Sequence, residues 1–126
     1  MAREPTDREC EVEVAPLLTG TVNQIEWAER IRGRVHDEFD RVAATFYAAA
    51  ARQDAEAKAD TLAIIAILED IRTEVMRRDQ AGYFIHDWQE ITDQVRQMIF
   101  HDARYAAIRE RQQTRRARQQ SSAISP

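Results

Sequence analysis

The chain has 126 residues, 44% of them hydrophobic and 32% charged, with a formal net charge of −4. That balance fits one globular domain and argues against intrinsic disorder, while the single cysteine excludes an internal disulfide and a thiolate zinc site. The longest apolar run, residues 62–68, is too short to cross a bilayer, and the charged residues 1–10 hold no apolar signal region. The expectation is a cytoplasmic, reduced protein with no membrane partner.

Only three glycines and three prolines occur, and Pro5 and Pro16 lie within the first 16 positions. A body so poor in breakers should be built of long helices. Residues 1–16 read as a polar arm, in which Arg3 and Arg8 face Glu4, Asp7, Glu9, Glu11 and Glu13, a net of −3. Its "CEVEV" stretch, 10–14, alternates with period two and permits a short edge strand, but without a partner it reads as an extended arm.

The first helix should begin at Thr21. Thr21 and Gln24 fit a capping box, in which the hydroxyl accepts the amide three residues on and Gln24 reaches back. Ile25, Ala28, Ile31, Val35, Phe39, Val42, Phe46 and Ala49 then follow at steps of three and four, one face of a helix to about Arg52. Gly33 interrupts propensity but not the pattern, at about 1 kcal/mol relative to Ala. A polar link at 53–56 leads to the second helix. Its apolar positions, Ile64, Ile65, Ile67, Leu68, Ile71 and Val75, cover so wide an arc that it should be the most buried. Arg77 and Arg78 at its end suit the negative pole of the macrodipole.

Asp79 suits the N-cap of a third helix, whose stripe is Ala81, Phe84, Ile85, Trp88, Thr92, Val95 and Ile99. No Gly or Pro occurs from 83 to 125, so this helix should run past residue 110 before fraying in a Gln/Ser-rich tail. The expected fold is therefore all-α. It is an antiparallel three-helix bundle over 17–112, with flexible arms at 1–16 and 113–126.

Thr19-Gly20-Thr21, just before the first helix, raises the question of a phosphate site. Such a loop needs several glycines whose amides converge, and often a following Lys; this one has a single Gly and no Lys. The capping box accounts for Thr21 and Gln24 without a ligand. With Gln24-Ile25-Glu26-Trp27-Ala28-Glu29-Arg30-Ile31-Arg32 these residues also resemble the "TG…QI.WAE.IR" opening of a group of small bacterial proteins. Members of that group are often encoded on phages, plasmids and other mobile elements. Ala81-Gly82-Tyr83-Phe84-Ile85-His86-Asp87 is similar to their second motif, "A.WWID", with Tyr83 and Phe84 in place of two tryptophans and His86 in place of the acid. The resemblance implies a mobile-element setting and carries no catalytic site.

Every histidine precedes an aspartate: His36-Asp37, His86-Asp87 and His101-Asp102. A His-Asp doublet ligates metal in helical phosphohydrolases, but those ligands converge in a bundle core. At about 100° per residue, His86 and His101 point away from the third stripe, and His36 flanks the first. These are read as surface residues, and neither metal nor cofactor is expected. Cys10 has no fixed histidine beside it, and no Ser lies in a G-x-S-x-G elbow. No enzyme is expected.

Binding remains. On the third helix Tyr83, His101, Tyr105 and Ile108 fall within an arc of about 60° away from the core stripe, residue types that interfaces favour. They form the expected protein-binding face, for a protein partner or for self-association. The alternative is a nucleic-acid accessory protein gripping phosphates with Arg115, Arg116 and Arg118, in a tail where five arginines face only Glu110. The acidic body and the lack of a helix-turn-helix pattern weigh against it.

Overall fold

The computed structural model describes residues 15–124, and side chains through Ser121. Of the expected arm over 1–16, residues 1–14, with Cys10 and the period-two stretch, lie outside the described residues. The described chain is all-α: α1 (Val22–Ala50), α2 (Ala55–Met76), α3 (Ala81–Asp87), α4 (Ile91–Phe100) and α5 (Ala103–Ile124). No helix among the described residues is long and apolar enough to cross a membrane.

α1 starts as its capping box dictates. Thr21 Oγ1 accepts the Gln24 amide at 3.2 Å, and the Gln24 side-chain oxygen accepts the Thr21 amide at 3.0 Å. Ala28, Ile31, Val35, Phe39 and Val42 are buried along one face. The segment before the cap is fastened across the molecule. The Thr19 amide donates to the Asp79 carbonyl (2.7 Å), and the Ala81 amide donates to the Thr19 carbonyl (2.9 Å), forming an isolated parallel bridge. Asp79 therefore serves through its backbone and not as the expected cap. Gln80 occupies the N-cap position of α3 with no side-chain bond.

Asp54 caps α2, its Oδ1 accepting the Ala57 amide at 2.9 Å. α2 carries the broad buried arc its sequence called for: Ile64, Ile65, Ile67, Leu68, Ile71 and Val75, with Asp60 and Thr61 buried as well. Thr61 donates to the Gln53 side-chain oxygen at 2.6 Å, so its hydroxyl is satisfied. Arg72 lies over the Phe39 ring at 6.0 Å and pairs with Asp40 (2.5 Å) and Glu69 (3.1 Å), locking α2 to α1. Arg78 stacks on Tyr83, 4.2 Å from the ring centroid, instead of facing the carbonyls that end α2.

The expected third helix is three helices. The first break is at 88–90. Trp88 leaves helical geometry (φ −116°, ψ 63°) and is buried edge-on against Phe39, with ring centroids 6.3 Å apart. The Gln94 side chain stitches the gap, accepting the Glu90 amide at 2.9 Å and donating to the Asp87 carbonyl. The second break is at 101–102, where His101 (φ −92°, ψ 0°) ends α4 and the Asp102 carboxylate accepts the Arg104 amide at 2.9 Å. Neither break contains Gly or Pro; side-chain hydrogen bonds replace the missing helical ones. α5 continues to Ile124, so the expected flexible tail is helical as far as the described residues extend.

Candidate binding surfaces

Trp27 lies beside the buried stripe of α1 and is 56% exposed. The α3–α4 turn faces it, and between them lies an open groove of about 800 Å³. Ile31 and Trp88 form its buried floor, with Ile85 and Ile91 half-buried beside them. Arg34, Arg96, Glu90 and Asp93, all exposed, stand around it. Arg34 and Arg96 take no ion-pair partner among the described residues. His86 and Thr92 also line the groove, with no hydrogen bond between them. The arrangement is an exposed aromatic ring in a frame of charged side chains.

The four residues of the expected protein-binding face do not share a face. Tyr83 is on α3, His101 ends α4, and Tyr105 and Ile108 are on α5. Ile108 is only 5% exposed and belongs to the core, and Tyr105 is half-buried against it, its ring 5.2 Å from that of Phe100. Tyr83 is half-buried too, with its ring 5.0 Å from Phe84; only His101 is fully on the surface. The 60° arc assumed one straight helix, and the two breaks rotate its parts onto different neighbours.

The arginines of the nucleic-acid alternative are divided. Arg115 Nη2 donates to Asp60 Oδ2 at 2.7 Å, and Arg111 Nη2 donates to Oδ1 at 2.8 Å. The Asp60 side chain is 4% exposed. Burial pushes its carboxyl up, but the hydrogen bonds from Arg111 and Arg115 outweigh that and hold it below the usual carboxylate range. Glu56 adds a second acid 3.5 Å from Arg115, and Arg104 joins Asp70 at 2.6 Å. Arg118 borders the same pocket as Glu56, Asp60, Arg111 and Arg115, while Arg116 is exposed and does not line it. Of Arg115, Arg116 and Arg118, Arg115 is thus engaged by carboxylates of α2.

His36, Asp37 and Asp40 do come together, with ligand atoms within 4.8 Å of one another, all exposed. His36 Nδ1 is 3.7 Å from a carboxylate oxygen of each acid. Asp40 already accepts from the Arg72 guanidinium, which also pairs with Glu69. His86 and His101 are exposed on separate helices and are not drawn into this cluster.

The fold and its surfaces define an all-helical domain with an open, aromatic-anchored groove and a polar helix–helix seam. Set against known protein families, characterised proteins and solved structures, the chain matches none of them.

Proposed function

We propose that this chain is a non-enzymatic binding protein that captures a protein partner in the groove around Trp27. The observation that carries the reading is the exposed tryptophan set over Ile31, Trp88, Ile85 and Ile91. Tryptophan and arginine are enriched among interface residues that carry most of the binding energy, and Arg34 and Arg96 stand beside the groove. The partner segment presents an apolar side chain to Trp27, flanked by carboxylates for those two guanidiniums. The resemblance of the "TG…QI.WAE.IR" opening to mobile-element proteins supplies a setting, interference with a host defence system in the manner of an anti-CRISPR inhibitor. Nucleic-acid binding through α5 is the weaker alternative, because Arg115 is engaged by Asp60.

The test is a photo-crosslinking residue at position 27 in the native host, with position 47 as a control on the opposite side of α1. A protein trapped from 27 and not from 47 is purified and titrated against the wild type and Trp27→Ala. Loss of an anchor worth about 2 kcal/mol weakens binding roughly 30-fold. Equal affinity, or equal trapping from both positions, rejects the groove.

A further inference from the structure

We propose that α5 exchanges between two copies of the chain, each laying its C-terminal helix on α2 of the other. The argument begins at the two-residue junction of α4 and α5. His101 still donates to the Gln97 carbonyl at 2.9 Å, as in a continuing helix, and the bend enters only at its ψ of 0°. Asp102 then bonds the Ile99 carbonyl (3.1 Å), and its carboxylate takes the Arg104 amide (2.9 Å) that a straight helix would give to Phe100. Neither residue is Gly or Pro, so a helical backbone is open to both. Straightened, α4 and α5 become one rod over 91–124, roughly 50 Å long. A short link whose residues accept either a turn or a helix is what helix exchange needs.

The seat of α5 also suits exchange. Among the described side chains of α5 only Ile108 is buried. Beside Ile108 and the half-buried Tyr105, the attachment is ionic: Arg111 and Arg115 on Asp60, Arg104 on Asp70, Arg115 on Glu56. A straight rod carries α5 off its own α2, leaving that acidic face open and its own arginines unpaired. A second copy in the same state presents the complementary pair. Two-fold symmetry then satisfies both seats with the contacts of the closed chain, while the junction gains the helical bonds it lacked. The occupant of the opened face is thus the same helix from another molecule, selected by charge.

The test uses the full chain with Cys10→Ser, in two variants. One carries Asp60→Arg; the other carries Arg111→Glu with Arg115→Glu. Alone, each places like charges in its own seat. Refolded together, each α5 meets an α2 of opposite charge only in the other molecule. Light scattering after size exclusion should show a species of twice the monomer mass holding one copy of each variant. Monomer masses alone in the mixture overturn the proposal. Should neither variant fold and the mixture stay unfolded, the wild type decides. Refolded from denaturant at millimolar concentration, it should give a dimer that reverts slowly on dilution, and a monomer there overturns the proposal equally.

Discussion

A β-carbon placed on Gly20 would lie 3.2 Å from that of Ala81, and the Gly20 backbone is turned to φ +148°. Glycine is demanded there twice, by conformation and by the close approach of α3. Gly20→Ala should therefore cost about 1–3 kcal/mol. Gly33, mid-helix and with nothing within 4 Å of its added β-carbon, should behave oppositely. Gly33→Ala should stabilise by up to about 1 kcal/mol. Urea unfolding of both variants checks the contrast, and shifts of the same sign would contradict it.

Leu68 is fully buried in the middle of α2. Leu68→Ala leaves a cavity and should cost about 2–5 kcal/mol in equilibrium unfolding. A loss under about 0.5 kcal/mol, the range of ordinary surface changes, would mean the core lies elsewhere.

The two tryptophans should separate cleanly. Trp88 is 3% exposed against Phe39, so Trp88→Ala should cost about 3–5 kcal/mol. Trp27 is 56% exposed, and its removal should change stability by no more than about 0.5 kcal/mol. Iodide should quench the fluorescence of Trp88→Phe, which keeps Trp27, far more than that of Trp27→Phe. Equal quenching would contradict the groove geometry.

Acid should loosen α5. The Asp60 carboxyl is held below its ordinary value of about 3.9. Its stabilisation is therefore complete above that value and is lost as pH falls through the lower folded value. Asp102, lowered chiefly by its hydrogen bond from Arg104, acts in the same sense. Asp60→Asn should cost about 1.5–3 kcal/mol near neutrality, the worth of hydrogen bonds to charged groups. It should also flatten the fall in melting temperature between neutral pH and about pH 3. An unchanged acid profile in that variant would remove Asp60 from the account.

Manganese or zinc should find no stoichiometric site at His36, Asp37 and Asp40, because all three are exposed and Asp40 is already paired with Arg72. Calorimetric titration of the untagged wild type checks this. Arg72→Ala, which frees Asp40, should bind more tightly than the wild type, and stoichiometric binding by the wild type would contradict the prediction.

Much of this architecture is legible in the residues. The capping box, the stripe from Ala28 to Val42 and the wide arc from Ile64 to Val75 follow from spacing alone. The breaks at 88–90 and 101–102 do not. Trp88, Val95 and Ile99 stay in helical register across the first, so periodicity passes over a bend made by Trp88 packing on Phe39 and by Gln94 bridging the gap. The groove was hidden for the same reason, since it exists only because the α3–α4 turn faces Trp27. One signal was there: a tryptophan beside the apolar stripe of α1 and not on it. The pairing of Asp60 with Arg111 and Arg115 joins residues more than 50 positions apart, beyond the reach of local pattern.

The bridge at Thr19 has a consequence for the order in which the chain assembles. Thr19 and Asp79 are 60 positions apart, and three hydrogen bonds close that span: two from Thr19 to the Asp79 carbonyl and one from the Ala81 amide to Thr19. Closing so long a loop loses more chain entropy than forming the neighbouring α1–α2 hairpin. The bridge should therefore close after the hairpin and be able to open without it. The Thr19 amide becomes a clock for that last step: its hydrogen exchange reports how often the entrance to α1 opens while the hairpin behind it stays intact.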